Sequence, residues 1–224
     1  MELILDTGNI EEIKDLYTHL CVDGVTTNPT IVAKEGKNFA TLIKEIDEIV
    51  GEDTPIHAQV VSTKFEDMME EALYISSLHK NMYVKVPVTK DGLRAIKELK
   101  KQGIKITATA IFTAHQGFLA SKAGADYVAP YVNRIDNISG DGVKVVSDLV
   151  NIINKYNLKT KVVAASFKNA QQVLDLMNIG VHSVTVPADI CKAMMNHPLT
   201  DWSVYKFIED WYNVFGEGTT TNKK

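Results

Sequence analysis

Lys85 lies in the run Tyr83-Val84-Lys85-Val86-Pro87, between valines that suit a folded interior. A charged ammonium is costly to bury there. The setting favours the neutral amine, which is a nucleophile. Most other lysines fall on helix faces, in loops or at strand starts, as Lys105 and Lys161 do, and Lys168, which opens a helical run, is a weaker rival. The plain alternative is a lysine snorkelling from a strand end; the tendency of perturbed groups to cluster in sites favours the chemical one. Arg134 is the second signal, because the chain has two arginines and Arg94 reads as an exposed helix residue. A guanidinium fork suits a phosphate, and Ser166 with the helix start after it could add donors. An ion pair with Asp136 is an equal alternative on spacing.

The elements around these residues alternate. Short β-branched runs at 3–5, 22–26, 56–60, 82–86, 104–110, 127–129, 160–165 and 183–186 read as strands, each followed by a helical run. Asn9 caps the first helix, Gly36 interrupts the second, and Gly124 stops the helix that follows the fifth strand and runs to Ala123. Eight such units predict an eight-stranded parallel β/α (TIM) barrel. An open doubly wound sheet is the alternative, although no GxGxxG turn is present. A further helix is expected at 201–215, then a disordered tail at 216–224, with 1–215 as one domain. That helix carries an apolar stripe of Val204, Ile208, Trp211 and Phe215. It would either cover its own barrel or pack on a neighbouring subunit.

Catalytic groups of a β/α barrel sit at the C-terminal ends of the strands. Asp6, Thr26, Thr27, Asn28, Gln59, Lys85, Thr109, Tyr131 and Ser166 all fall at or near such ends. Strand ends also begin polar loops, which accounts for Thr26 or Ser166 but poorly for a lysine inside YVKVPV. His57 shares parity with Gln59 and reads as a core or bottom-layer residue. The six histidines form no metal motif, and no Ser-His-Asp order or GxSxG elbow appears.

Composition narrows the function further. The 224 residues carry 24 basic and 28 acidic side chains, a net charge of −4, which suggests neither a nucleic-acid nor a polybasic membrane surface. No apolar run nears the ~20 residues that span a bilayer, and MELILD lacks a basic signal-peptide start. Cys21 and Cys191 match no metal or redox spacing. A cytoplasmic protein without membrane or nucleic-acid partners is the expectation.

The segments LDTGNIEEI, GVTTNPT (24–30), HAQV (57–60), VKVPVTKDGLRAIK (84–97), AGADYVAPYVNRID (123–136) and VVAASFKN (162–169) together resemble the fructose-6-phosphate aldolase branch of the short transaldolase family. The resemblance covers nearly everything before the tail. It implies class I aldolase chemistry with no metal or organic cofactor, on small sugar phosphates. Lys85 would form the Schiff base, and Asp6 and Asn28 would bind ketose hydroxyls. Gln59 and Thr109 would hold a water with Tyr131 as proton donor. Arg134 and Ser166 would hold the phosphate, and Thr26 and Ala129 would line the pocket. Family transaldolases usually have glutamate at the position of Gln59 and phenylalanine at that of Tyr131, so this chain leans to the aldolase side. The resemblance also implies homo-oligomers, pentamers or decamers, with the last helix exchanged between neighbours. A non-catalytic sugar-phosphate-binding barrel is the alternative from another class.

Overall fold

Alternating short strands and amphipathic helices close into one ring in the computed structural model, which describes residues 1–223. In chain order, β1 (Glu2–Asp6) leads to α1 (Ile10–His19), and β2 (Gly24–Thr26) to α2 (Pro29–Glu35) and α3 (Phe39–Val50). β3 (Ile56–Gln59) precedes α4 (Phe65–Ser77), β4 (Met82–Pro87) precedes α5 (Lys90–Lys101), and β5 (Lys105–Ile111) precedes α6 (Ala114–Ala123). β6 (Tyr127–Pro130) is followed by α7 (Val132–Asp136) and α8 (Gly142–Lys155), and β7 (Lys161–Ala164) by α9 (Ala170–Asn178). β8 (Ser183–Val186), α10 (Ala188–Met195) and α11 (Pro198–Phe215) complete the chain. Each strand pairs in parallel with the next, and β8 pairs with β1 through Leu3↔Val184 and Leu5↔Val186. That closure makes the protein a TIM barrel and excludes the open sheet.

Period-two alternation divides each strand into two faces. Leu5, Val25, Ile56, Val84, Val86, Ile106, Val128, Val162 and Val184 point outward and pack under the helices in one continuous apolar layer. Each fully buried side chain of this kind contributes roughly 1.5–3 kcal/mol. A second, small cluster of Ile4, Tyr127, Ala129 and Val163, with Tyr83 against it, fills the inside of the ring. At the N-terminal end the inside is polar: the Tyr127 hydroxyl donates to Glu2 Oε2 at 2.9 Å and Lys161 Nζ to Glu2 Oε1 at 2.6 Å.

Local signals place the helices. The side chains of Asn9, Thr89, Thr113, Asp141 and Asn169 each accept a hydrogen bond from a first-turn N–H. Gly124 ends α6 at φ 105°, a left-handed cap that a side chain would strain.

Three features depart from expectation. Residues 132–136, between the strand at 127–129 and the long helix after it, form an additional helix, α7, too short to show periodicity. The last helix begins at Pro198, not 201, because His197 Nδ1 accepts from the Leu199 N–H and Pro198 fits the first turn. Within the segment expected to be disordered, Trp211 Nε1 donates to Thr219 Oγ1 at 3.1 Å and Thr220 bridges to Lys223; Lys224 lies outside the described residues. α11 has no buried residue. Trp202, Tyr205, Phe207 and Val214 are each at least 64% exposed, so the helix does not cover its own barrel.

Candidate active site

Asp6, Thr26, Gln59, Lys85 and Thr109 lie at or near the C-terminal ends of their strands, and Tyr131 and Ser166 follow β6 and β7. Lys85, 5% exposed, sits on β4 and pairs in register with Gln59 on β3 and Thr107 on β5. Its Nζ donates to the Thr27 carbonyl at 2.7 Å. Burial pushes the Lys85 amine below its usual pKa; the Asp6 carboxylate opposes this and the Arg134 guanidinium adds to it. A larger fraction of neutral amine is thus present than a surface lysine would show. Lys168, the rival, is exposed.

Asp6 ends β1. Its Oδ1 accepts from Thr26 Oγ1 at 2.7 Å, and Thr26 Oγ1 lies 2.5 Å from Thr185 Oγ1. Because Thr26 spends its one proton on Asp6, Thr185 must donate to Thr26. Burial raises the Asp6 pKa, while Lys85, the Thr26 hydrogen bond and Arg134 pull it down. Asp6, Lys85 and Arg134 therefore form one electrostatic group. Asn28 caps α2, its Oδ1 accepting from Ile31 N at 3.0 Å, which leaves its amide nitrogen free to donate.

Across the mouth, Thr109 Oγ1 and the Tyr131 hydroxyl are 3.0 Å apart. A register shift between Ala108 and Ile111, with Ala110 at φ 58°, interrupts the pairing of β5 with β6 beside Thr109; such bulges re-aim side chains. Ser166 stands at φ 65° after β7. Its carbonyl accepts from Asn133 N at 2.8 Å and that of Ala165 from Val132 N at 2.9 Å, so the turn carrying Tyr131 is tied to the loop carrying Ser166. Strained non-glycine residues of this kind concentrate at functional sites.

Arg134 stands on α7, its guanidinium carbon 4.5 Å from the centroid of the Tyr131 ring. The alternative ion pair with Asp136 does not form. Asp136 instead accepts from Gly142 N at 2.8 Å and from Gln172 Nε2 at 2.7 Å.

Below the mouth, His57 is fully buried, with Nδ1 2.8 Å from Thr107 Oγ1 and its ring stacked on Tyr83 at 4.8 Å. Burial, then the Lys85 charge, push its pKa down to about 3, so the ring is neutral. Ala129 belongs to the internal apolar cluster next to it.

Thr185 and the Thr27 carbonyl were missed from sequence. Thr185 alternates with Val184 and Val186, which could have placed it inward. A carbonyl oxygen leaves no trace in residue identity. Among the described residues, no cluster of three or more His, Cys, Asp or Glu could hold a metal ion, and no helix is long and apolar enough to cross a membrane.

The model of the transaldolase/fructose-6-phosphate aldolase family matches residues 3–221. A probable transaldolase of Thermoanaerobacter sp. is 44% identical over 211 residues, covering 94% of this chain and 97% of that one. Probable transaldolases of Thermodesulfovibrio yellowstonii and Clostridium acetobutylicum are 43% and 42% identical, the latter over 97% of this chain and its own whole length.

Proposed function

As a member of the transaldolase/fructose-6-phosphate aldolase family, the chain is an enzyme of the Schiff-base aldolase/transaldolase type, and we propose that it cleaves fructose 6-phosphate to dihydroxyacetone and glyceraldehyde 3-phosphate, and runs the reverse. The supporting observation is a buried, pKa-depressed Lys85 at the mouth, in register beside a neutral Gln59, on the same ring as a Thr109–Tyr131 hydroxyl pair.

The Lys85 amine adds to the ketose carbonyl and water leaves, giving an iminium that withdraws electrons from the bond being cut. Asp6 and Asn28 hold the ketose hydroxyls, with Thr26 orienting Asp6 and Ala129 bounding the pocket. A base takes the C4 hydroxyl proton, the C3–C4 electron pair passes into the iminium to give the enamine, and glyceraldehyde 3-phosphate is released. Arg134 and Ser166 bind its phosphate. Tyr131, with a water held by Gln59 and Thr109, protonates the remaining enamine. Hydrolysis then frees dihydroxyacetone and Lys85.

A second reading is transaldolase, in which the enamine waits for an acceptor aldose phosphate, with sedoheptulose 7-phosphate as a donor. The relatives, named probable transaldolases, favour it. The test compares fructose 6-phosphate alone with fructose 6-phosphate plus erythrose 4-phosphate. Release of dihydroxyacetone without acceptor supports the aldolase, and turnover only with acceptor overturns it. The exposed apolar α11 supports assembly into a homo-oligomer.

A further inference from the structure

Thr27 is fully buried and follows β2. Its carbonyl accepts from Lys85 Nζ at 2.7 Å. The same residue is held twice by one atom. Its N–H donates to the His57 carbonyl at 2.8 Å, and its hydroxyl donates to that carbonyl at 3.3 Å. His57 is itself fixed by its ring, through Thr107 and Tyr83. The acceptor that meets the amine is therefore attached, through two hydrogen bonds, to a neighbouring strand.

We propose that Thr27 is the positioning residue of the nucleophile, its carbonyl orienting Lys85 Nζ and its hydroxyl holding that carbonyl in place against the His57 carbonyl. The inference rests on the Schiff-base reading of Lys85. A neutral amine has two N–H bonds and one lone pair. With one N–H directed at Thr27, rotation about Cε–Nζ is restricted and the lone pair is confined to the remaining staggered positions. When Nζ adds to a carbonyl carbon, one amine proton passes to the former carbonyl oxygen. A second proton from an acid lets that oxygen leave as water. The protonated iminium keeps one N–H. That N–H can stay on the Thr27 oxygen, which then lies in the iminium plane and sets which face of the three-carbon fragment meets the aldehyde. A charged donor strengthens the bond, so the contact favours the iminium over the amine.

Rapid mixing of the full chain with fructose 6-phosphate, followed by a borohydride quench, measures iminium formation directly. Thr27→Val keeps the shape and removes the hydroxyl; Thr27→Ser keeps the hydroxyl. The valine variant should form trappable iminium roughly 5- to 10-fold more slowly, with KM little changed. The serine variant should recover most of the rate. Valine at the wild-type rate, or both variants equally slow, overturns the proposal. If the valine variant does not fold, Thr27→Ala, compared with Thr27→Ser, gives the same readout. A wild-type chain that traps no substrate fails the Schiff-base reading itself, which separates the two outcomes.

Discussion

The Arg134 guanidinium lies over the Tyr131 ring, 4.5 Å from its centroid. The planar cation is held by the face of the ring, with its edge left to donate, while Asp136 is occupied by Gly142 and Gln172. The phosphate-binding proposal for Arg134 gains from this freedom. Arg134→Ala should weaken fructose 6-phosphate far more than dihydroxyacetone in the reverse direction, by roughly 1.5–3 kcal/mol for a charge-assisted contact. Equal losses in kcat/KM for both substrates would make Arg134 structural.

Lys85→Ala should abolish turnover and leave the fold, since alanine suits an interior between Val84 and Val86. Asp6→Asn gives a finer test. The Asp6 charge raises the Lys85 pKa, so its removal lowers that pKa further. The neutral amine then persists to lower pH, and the acid limb of iminium formation moves down. The pH dependence of borohydride trapping measures it, and a limb that stays or rises would disprove the coupling.

His57 links stability to pH. Its folded pKa is about 3, against an ordinary 6.5, so between these values the unfolded chain binds the proton that the folded one refuses. Stability conferred by a neutral His57 is present at pH 7 and is lost as pH falls. His57→Phe removes the titration. Between about pH 7 and pH 5 the wild type should lose about 2 kcal/mol more than the variant in urea unfolding. Parallel losses would mean that His57 does not carry this dependence.

Gln59→Glu should shift the partition toward transfer. An amide orients a water but takes no proton, whereas a carboxylate is a base. A carboxylate that accepts the water's proton leaves that water a poorer donor to the enamine, which slows enamine protonation. The ratio of transfer to erythrose 4-phosphate over free dihydroxyacetone should rise; an unchanged ratio removes the main reason for preferring aldolase.

Truncation before Pro198 should dissociate the proposed homo-oligomer and leave the barrel folded, because α11 buries no residue within its own chain. Light scattering on both forms decides it. A truncated chain that keeps the mass of the full assembly would show that α11 is not the interface.

Much of the architecture was legible in the residues. Eight apolar runs, their caps, and the breaks at Gly36 and Gly124 are local signals, and they recur as the eight strands and their helices. Lys85 between Val84 and Val86 was legible for the same reason. Alternation puts valines under the helices and the lysine inside the ring, wherever the other strands lie.

Other features needed the closed ring. β8 meets β1 only on closure, and that meeting brings Thr185 to Thr26, which already stands beside Asp6 through the β1–β2 pairing. The freedom of Arg134 was decided by the turn that brings the Gly142 N–H back to Asp136 and by Gln172, 36 residues on, which together occupy that carboxylate. The acceptor for Lys85 is a backbone carbonyl, 58 residues away, whose chemistry is the same in every amino acid. Sequence determined which groups could react, because side-chain type and period are local; the tertiary structure decided which partners they have, because those contacts depend on the path of the whole chain.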